Sequence, residues 1–381
     1  MIEHTSKLPN VGTTIFTIMG QLAAQHKAVN LSQGFPNFGA DPKLLELVNN
    51  ALNEGHNQYA PMPGIYSLRE RIVEKVESLY GKAYHPEREI TITAGATQAI
   101  FTAISAFIRP GDEVIVFKPA YDCYEPAVRL YGGKVIPIQL SKSDFKIDWT
   151  MVQSKISAAT KMVIINSPHN PSGTLLTKED MLQIEKLLEG TAIIVLSDEV
   201  YEHIVFDGWS HQSVSNYPNL ASRSLICASF GKTFHVTGWK LGYILGPKEL
   251  MKEFQRVHQY NVFSVNHPIQ RAIAIYLENE DHYQHLGKFY EQKRDYFLEG
   301  IATSRFAFQP SSGTYFQILD YGAITDENDV NFAKRLVEEY KIASIPISVF
   351  NLNQEDHKQL RFCFAKTKDT LDKAIEIINE L

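Results

Sequence analysis

Ile193-Ile194-Val195-Leu196-Ser197-Asp198-Glu199-Val200-Tyr201 carries the strongest statement about architecture: four apolar residues in succession, then a hydroxyl, two carboxylates and a phenol. An apolar run that short, with no polar alternation, reads as a strand buried on both faces. Five further short runs are nearly continuous in apolar residues: Ile90–Thr93, Val114–Phe117, Val135–Ile138, Met162–Ile165 and Leu225–Ala228. Helix-like segments alternate with most of them, so the expected class is α/β, a mostly parallel sheet covered by helices. In such a sheet ligands bind beyond the carboxyl ends of the strands, which makes the residues after each run candidates for a site.

Working outward, residues 1–40 form an arm ending in Asn30-Leu31-Ser32-Gln33-Gly34-Phe35-Pro36-Asn37. Leu44, Leu45, Val48 and Leu52, then Leu68, Ile72, Val76 and Leu79, give helical spacing over 42–54 and 66–80. The stretch 248–298 reads as one long helical link. Beyond it come short strands near Phe306–Phe308 and Thr314–Ile318, a helix near Val330–Tyr340, a strand at Leu360–Phe364 and a closing helix from Asp369. That order predicts a smaller α+β unit, dividing the chain into an arm 1–40, a large domain 41–285 and a small domain 286–381.

With 381 residues, 44% of them hydrophobic and 21% charged, the chain is long enough for two packed domains. A net charge of -6 provides no basic field for nucleic acid or anionic membrane surfaces, so neither is expected as a partner. Cys123, Cys227 and Cys363 are widely spaced without a CxxC pair, which suggests no disulfide framework and no metal site. Met1 to Asn10 lacks an apolar signal core and no apolar run approaches membrane-spanning length. The expected location is the cytoplasm.

The strand ends repay individual reading. Ala96, Thr97 and Gln98 open an apparent helix directly after Ile90–Thr93, where free backbone N–H groups suit a phosphate, although small residues also serve packing there. Tyr121 follows Val114–Phe117 and either stacks on a flat ring or belongs to the core. Asn166-Ser167-Pro168-His169-Asn170-Pro171-Ser172-Gly173 follows Met162–Ile165; turn chemistry accounts for its asparagines, whose amides can also donate to an anionic oxygen. Asp198 is either a helix N-cap or a buried carboxylate that needs a partner, and Tyr201 stands three residues on. Lys232 lies just past Leu225–Ala228 in Ser229-Phe230-Gly231-Lys232-Thr233-Phe234-His235-Val236-Thr237-Gly238-Trp239-Lys240. It is a surface lysine or, if its surroundings lower its pKa, an amine able to attack a carbonyl.

Together these ends supply what pyridoxal phosphate requires. Lys232 would hold the aldehyde covalently, Asp198 would pair with the pyridinium N–H, Asn170 and Tyr201 would bond the ring oxygen, and Tyr121 would stack. Ser229 and Lys240 would add a hydroxyl and a charge at the phosphate.

The chain is similar over its whole length to the fold-type I, class I pyridoxal-phosphate-dependent aminotransferases. The carrying motifs are 166–173, Ser197-Asp198-Glu199-Val200-Tyr201-Glu202-His203 and 229–240. Asn30–Pro36 and Asn57-Gln58-Tyr59-Ala60-Pro61-Met62 resemble the branch of bacterial methionine aminotransferases, close to kynurenine aminotransferases. The resemblance implies a seven-stranded sheet, an arm packing with the small domain, and a homodimer in which Tyr59 reaches the neighbouring cofactor phosphate. It further implies that Gly34 lies against the substrate carboxylate and that Arg361 clamps it with a bidentate pair, although Arg361 read alone also suits a surface ion pair. Lys240 departs from the arginine of many relatives, keeping the charge without the bidentate geometry. Phe16, Phe35, Tyr59 and Tyr121 are expected to form an aromatic pocket, and no second arginine is evident for a dicarboxylate.

The expected reaction is ping-pong amino transfer from methionine and other large uncharged or aromatic amino acids to a 2-oxo acid. Lys232 would serve as general base and Asp198 would stabilise the electron-rich state. Kynurenine transamination and β-elimination from cysteine S-conjugates are the alternatives. A regulator that kept the fold would carry an added DNA-binding segment, for which the arm is too short.

Overall fold

A computed structural model describes residues 5–381; Met1 to His4, the start of the expected arm, lie outside the described residues. In chain order the first half contains α1 (Ile15–His26), β1 (Val29–Asn30), α2 (Pro42–Asn53), α3 (Tyr66–Tyr80), β2 (Ile90–Thr93), α4 (Ala96–Phe107), β3 (Glu113–Lys118), α5 (Tyr124–Leu130), β4 (Lys134–Gln139), α6 (Trp149–Lys155), β5 (Thr160–Asn166) and α7 (Lys178–Leu188). Then follow β6 (Ile194–Asp198), α8 (Pro218–Ala221), β7 (Ser224–Ser229), α9 (Phe230–Thr233), β8 (Gly242–Leu245), α10 (Lys248–Asn261), α11 (His267–Tyr276), α12 (Asp281–Gln284) and α13 (Leu286–Gly300). The chain ends with β9 (Phe316–Asp320), α14 (Asp329–Glu338), β10 (Ile342–Ala343), β11 (Ile345–Pro346), β12 (Gln359–Cys363) and α15 (Lys368–Glu380).

Seven strands form the central sheet in the order β2-β8-β7-β6-β5-β3-β4. Only β8 runs against the others. The uninterrupted apolar runs have a direct cause: successive side chains point to opposite faces, and each face is buried. Val114, Val116, Met162, Ile164, Ile194 and Leu196 enter one core, shared with Ile100 and Ile104 of α4 and Phe254 of α10. Ile115, Phe117, Val163, Ile165, Ile193 and Val195 enter the other, shared with Ile72 of α3, Ile184 of α7 and Ile273 of α11.

β8 is absent from the six apolar runs, because Gly242-Tyr243-Ile244-Leu245 opens on glycine and carries a phenol. That glycine is required: a Cβ on it would stand 2.6 Å from the Ala228 carbonyl oxygen and 3.2 Å from the Ala96 nitrogen. The stretch 248–298 is not one helix but α10, α11, α12 and α13, interrupted near Val262–Asn266 and after Leu277. Phe306–Phe308 forms no strand; an isolated bridge joins Ala307 to Asp320.

A third core gathers Met19, Ala23 and Leu31 of the first forty residues with Tyr290, Phe297, Phe332, Leu336, Phe362 and Leu371. β9, β11 and β12 form an antiparallel sheet within it. β1 pairs in parallel with β10, Val29 opposite Ile342, so the beginning and end of the chain share one small sheet. No helix among the described residues is long and apolar enough to cross a membrane.

Candidate active site

The carboxyl ends of β2, β5, β6 and β7 converge on one cavity, lined by Gly95, Ala96, Thr97, Tyr121, Asn170, Asp198, Tyr201, Ser229, Lys232 and Lys240 among others. At its floor Asp198 is the last residue of β6. No helix follows, so the N-cap reading does not hold; the Val200 N–H instead closes a turn on Oδ1 at 3.4 Å. Tyr124 donates to Oδ2 at 2.5 Å. Burial pushes the carboxyl up to about 6, against the Tyr124 bond that pulls it down. A buried carboxylate with no cationic partner in hydrogen-bond contact fits a group that brings its own N–H, as a pyridinium ring does.

The next residues of the turn are tied from behind. Glu202 accepts from Lys75 Nζ at 2.6 Å, Tyr80 Oη at 2.8 Å and Tyr243 Oη at 2.9 Å, fastening the turn that carries Tyr201 to α3 and β8. Tyr201 is buried, and burial raises its phenol well above the usual range, so it remains a donor at neutral pH.

Lys232 leaves α9 toward the same floor. Its Nζ donates to Tyr315 Oη at 2.9 Å and to the Gly34 carbonyl at 3.2 Å. Burial lowers its pKa to about 8; the Cys363 thiol opposes that fall, whereas Arg361 and Lys240 add to it. About one tenth of it is therefore a neutral amine at pH 7, far more than for an ordinary lysine, and that is the form that attacks an aldehyde.

The opposite wall suits a phosphate. Gly95 precedes α4 with φ 78° and ψ 168°, leaving the first backbone N–H groups of the helix without intrahelical partners. A Cβ on Gly95 would lie 3.4 Å from Lys240 Nζ, so the lysine stands directly over this cradle. Ala96, Thr97 and Ser229 line it as expected. Gln98 does not: its side chain turns back to the Ala94 N–H, Thr102 and His258, and only its backbone belongs to the helix start.

Arg361 lies on β12 and is buried, so the surface ion-pair reading is wrong. Its Nη1 donates to Asn170 Oδ1 at 2.8 Å and its Nη2 to the Ser32 carbonyl at 3.1 Å, while Nε has no partner. The guanidinium lies 3.9 Å from the Phe316 ring centre and 5.2 Å from that of Phe16. An orphaned buried donor on a cation with no carboxylate partner is what an incoming carboxylate would satisfy. Gly34 passes close by, since a Cβ on it would meet Phe316 at 2.9 Å.

The expected aromatic pocket is not assembled within one chain. Tyr121 lines the cavity and Phe16 packs beside Arg361. Phe35 is 45% exposed and Tyr59 79% exposed, the latter edge-on to Phe263. The reading of single strand ends also missed Tyr124, Asn166 and Tyr315. Neither Tyr124 nor Tyr315 had a signal in local spacing; Tyr124 opens α5, and Tyr315 stands just ahead of β9 rather than in it.

A carboxyl-edge cavity with a buried lysine, a buried aspartate without a cationic partner and a helix start open to an anion fits a pyridoxal-phosphate site on a fold-type I scaffold. The chain belongs to the aminotransferase class I and II family, whose profile matches residues 26–378. The family is pyridoxal-phosphate-dependent, and the chain is an aminotransferase. It is 46% identical to methionine aminotransferase of Escherichia coli, over 99% of this chain and 98% of that one. The crystal structure of YbdL from Escherichia coli, described as having a methionine aminotransferase function, superposes with a TM-score of 0.98 over 100% of both chains at 46% identity. N-succinyldiaminopimelate aminotransferase from Mycobacterium tuberculosis gives 0.95 at 35% identity, covering 99% of this chain and 100% of that one. Human kynurenine--oxoglutarate transaminase 3 is 33% identical over 98% of this chain and 89% of its own length.

Proposed function

We propose that the chain moves the amino group of methionine, and of other large uncharged or aromatic amino acids, to a 2-oxo acid by a ping-pong route. The likeness to a methionine aminotransferase over nearly the full length supports this donor, and so does the cation inventory. The observation that carries the reading is Arg361 with its free Nε. Among the described residues the other buried arginines are committed elsewhere: Arg69 to the carbonyls of Gly64 and Pro86, Arg294 to Asp207 and the Ser311 carbonyl. Among the described residues of one chain, one buried arginine is free to answer the α-carboxylate, and no second buried one is free to answer a side-chain carboxylate.

Bound pyridoxal phosphate supplies an aldehyde and an electron-accepting ring. The chain's own residues do the rest. Gly95, Ala96, Thr97, Ser229 and Lys240 would hold the phosphate, with Tyr59 of the other protomer in a homodimer. Asp198 would keep the ring nitrogen protonated, Asn170 and Tyr201 would bond the ring oxygen, and Tyr121 would stack on the ring. Arg361, braced by Asn170, orients the donor carboxylate beside Gly34. Lys232 takes the Cα proton and returns it one atom away. Residues 41–285 act as the cofactor-binding domain and 286–381 as the smaller one, with the arm packed on it. A cytoplasmic setting belongs to the same proposal, supported by three free cysteines.

Single-turnover absorbance changes of the holoenzyme against a panel of amino acids test the donor. Methionine is expected to react at least about tenfold faster than alanine, a difference of roughly 1.4 kcal/mol in barrier. Equal rates overturn the assignment. Preference for kynurenine, or release of ammonia and pyruvate from a cysteine conjugate without added 2-oxo acid, would redirect it.

A further inference from the structure

We propose that Tyr315 and the Gly34 carbonyl form a two-acceptor seat that fixes the direction of the Lys232 lone pair, making Tyr315 a positioning residue for proton transfer. Tyr315 Oη lies 2.6 Å from the Gly34 carbonyl oxygen, so its single hydrogen is spent there. Toward Lys232 Nζ, 2.9 Å away, that hydroxyl can only accept. The Gly34 oxygen, 3.2 Å from the same nitrogen, can only accept as well. A neutral amine has two N–H bonds and one lone pair. Both N–H bonds are taken by the seat, and the lone pair is left facing away from it, toward the cavity that Lys232 lines.

The same geometry serves the return step. When the amine takes a proton, the new N–H lies along the former lone-pair direction while the first two stay on their acceptors. The proton removed from one atom is therefore offered back to the same side, with no rotation of the lysine. The other groups around Lys232 leave the seat intact: the Tyr201 ring centre is 5.5 Å away, and Arg361, Lys240 and Asp198 act on it through charge.

The inference rests on the aminotransferase reading but not on the choice of donor. Apoenzyme and its Tyr315→Phe variant are mixed with pyridoxal phosphate across neutral to alkaline pH, and covalent capture is followed by absorbance. Loss of one acceptor is expected to lower the plateau rate about three- to tenfold. The midpoint should move to lower pH, because the lost oxygen held the ammonium more strongly than the amine. In the holoenzyme, a donor deuterated at Cα should show a larger isotope effect in the variant, because proton transfer limits more of the rate. An unchanged midpoint, plateau and isotope effect overturn the seat. Tyr315 packs against Tyr201 and Tyr290, so 4-aminophenylalanine at position 315, whose aromatic amine donates to the Gly34 carbonyl but accepts poorly, covers the case in which Tyr315→Phe fails to fold. Its weakened acceptor should shift the midpoint in the same direction, and no shift would equally overturn the proposal. Capture uses no amino acid, so rejection of every donor would sink the function while leaving the seat tested.

Discussion

Asp198 shows how a single residue can oppose stability in order to serve chemistry. Its folded pKa, about 6, stands above the unfolded value of 3.8. Its contribution to stability is thus fully present below pH 3.8 and is lost as pH rises through about 6. At pH 8 the apoenzyme carries a buried charge costing about 3 kcal/mol. Asp198→Asn should therefore raise the apoenzyme melting temperature by a few degrees at pH 8, with the gain fading toward pH 4. Turnover of the same variant should fall by about a hundredfold or more. Calorimetry at both pH values, paired with steady-state rates, checks the opposition; a variant less stable than wild type at pH 8 would contradict it. Asp198 and Lys232 were legible in the sequence because one ends a buried strand, the other follows one within three residues, and each is chemically conspicuous there; Arg361 was reached through the family resemblance and not through its spacing. Tyr315 and Tyr124 were not legible, since each acts on a residue brought to it from another element, and neither partnership leaves a mark on local spacing.

At the scale of elements, the strand runs could be read because burial on both faces removes alternation altogether. β8 escaped for the opposite reason: its role depends on how closely two neighbours approach it, which Gly242 permits but does not announce. Gly95 is a second such position. Its φ and ψ belong to a region that essentially only glycine occupies, and they set the entry of α4 beneath Lys240. Gly95→Ala should cost about 1–3 kcal/mol of stability and weaken pyridoxal phosphate binding about tenfold by turning the first N–H groups of α4 away. Equilibrium binding to the apoenzyme measures the second effect, and an unaltered affinity would show that the helix start does not hold the phosphate.

For the whole molecule, the exposed Tyr59 beside Phe263 is the feature that a single chain leaves unused. If it completes the neighbouring site, chains carrying Lys232→Ala and chains carrying Tyr59→Ala should rescue one another. Each mixed dimer then contains one site with both residues intact, and random pairing restores about a quarter of wild-type activity. Activity that stays at the sum of the separate variants would place Tyr59 outside the site. The β1–β10 pair acts on a different timescale. Val29 leaves the ribosome long before Ile342, its partner, and Leu31 must wait for Cys363, whose N–H it accepts. At about 5–20 residues per second, roughly 300 residues of synthesis leave the arm unpaired for about 15 to 60 s. Through that interval Met19, Ala23 and Leu31 have no core to enter. The nascent chain must carry an apolar amphipathic end in water until its last hundred residues are made, and chaperones that hold such ends should be limiting for its yield.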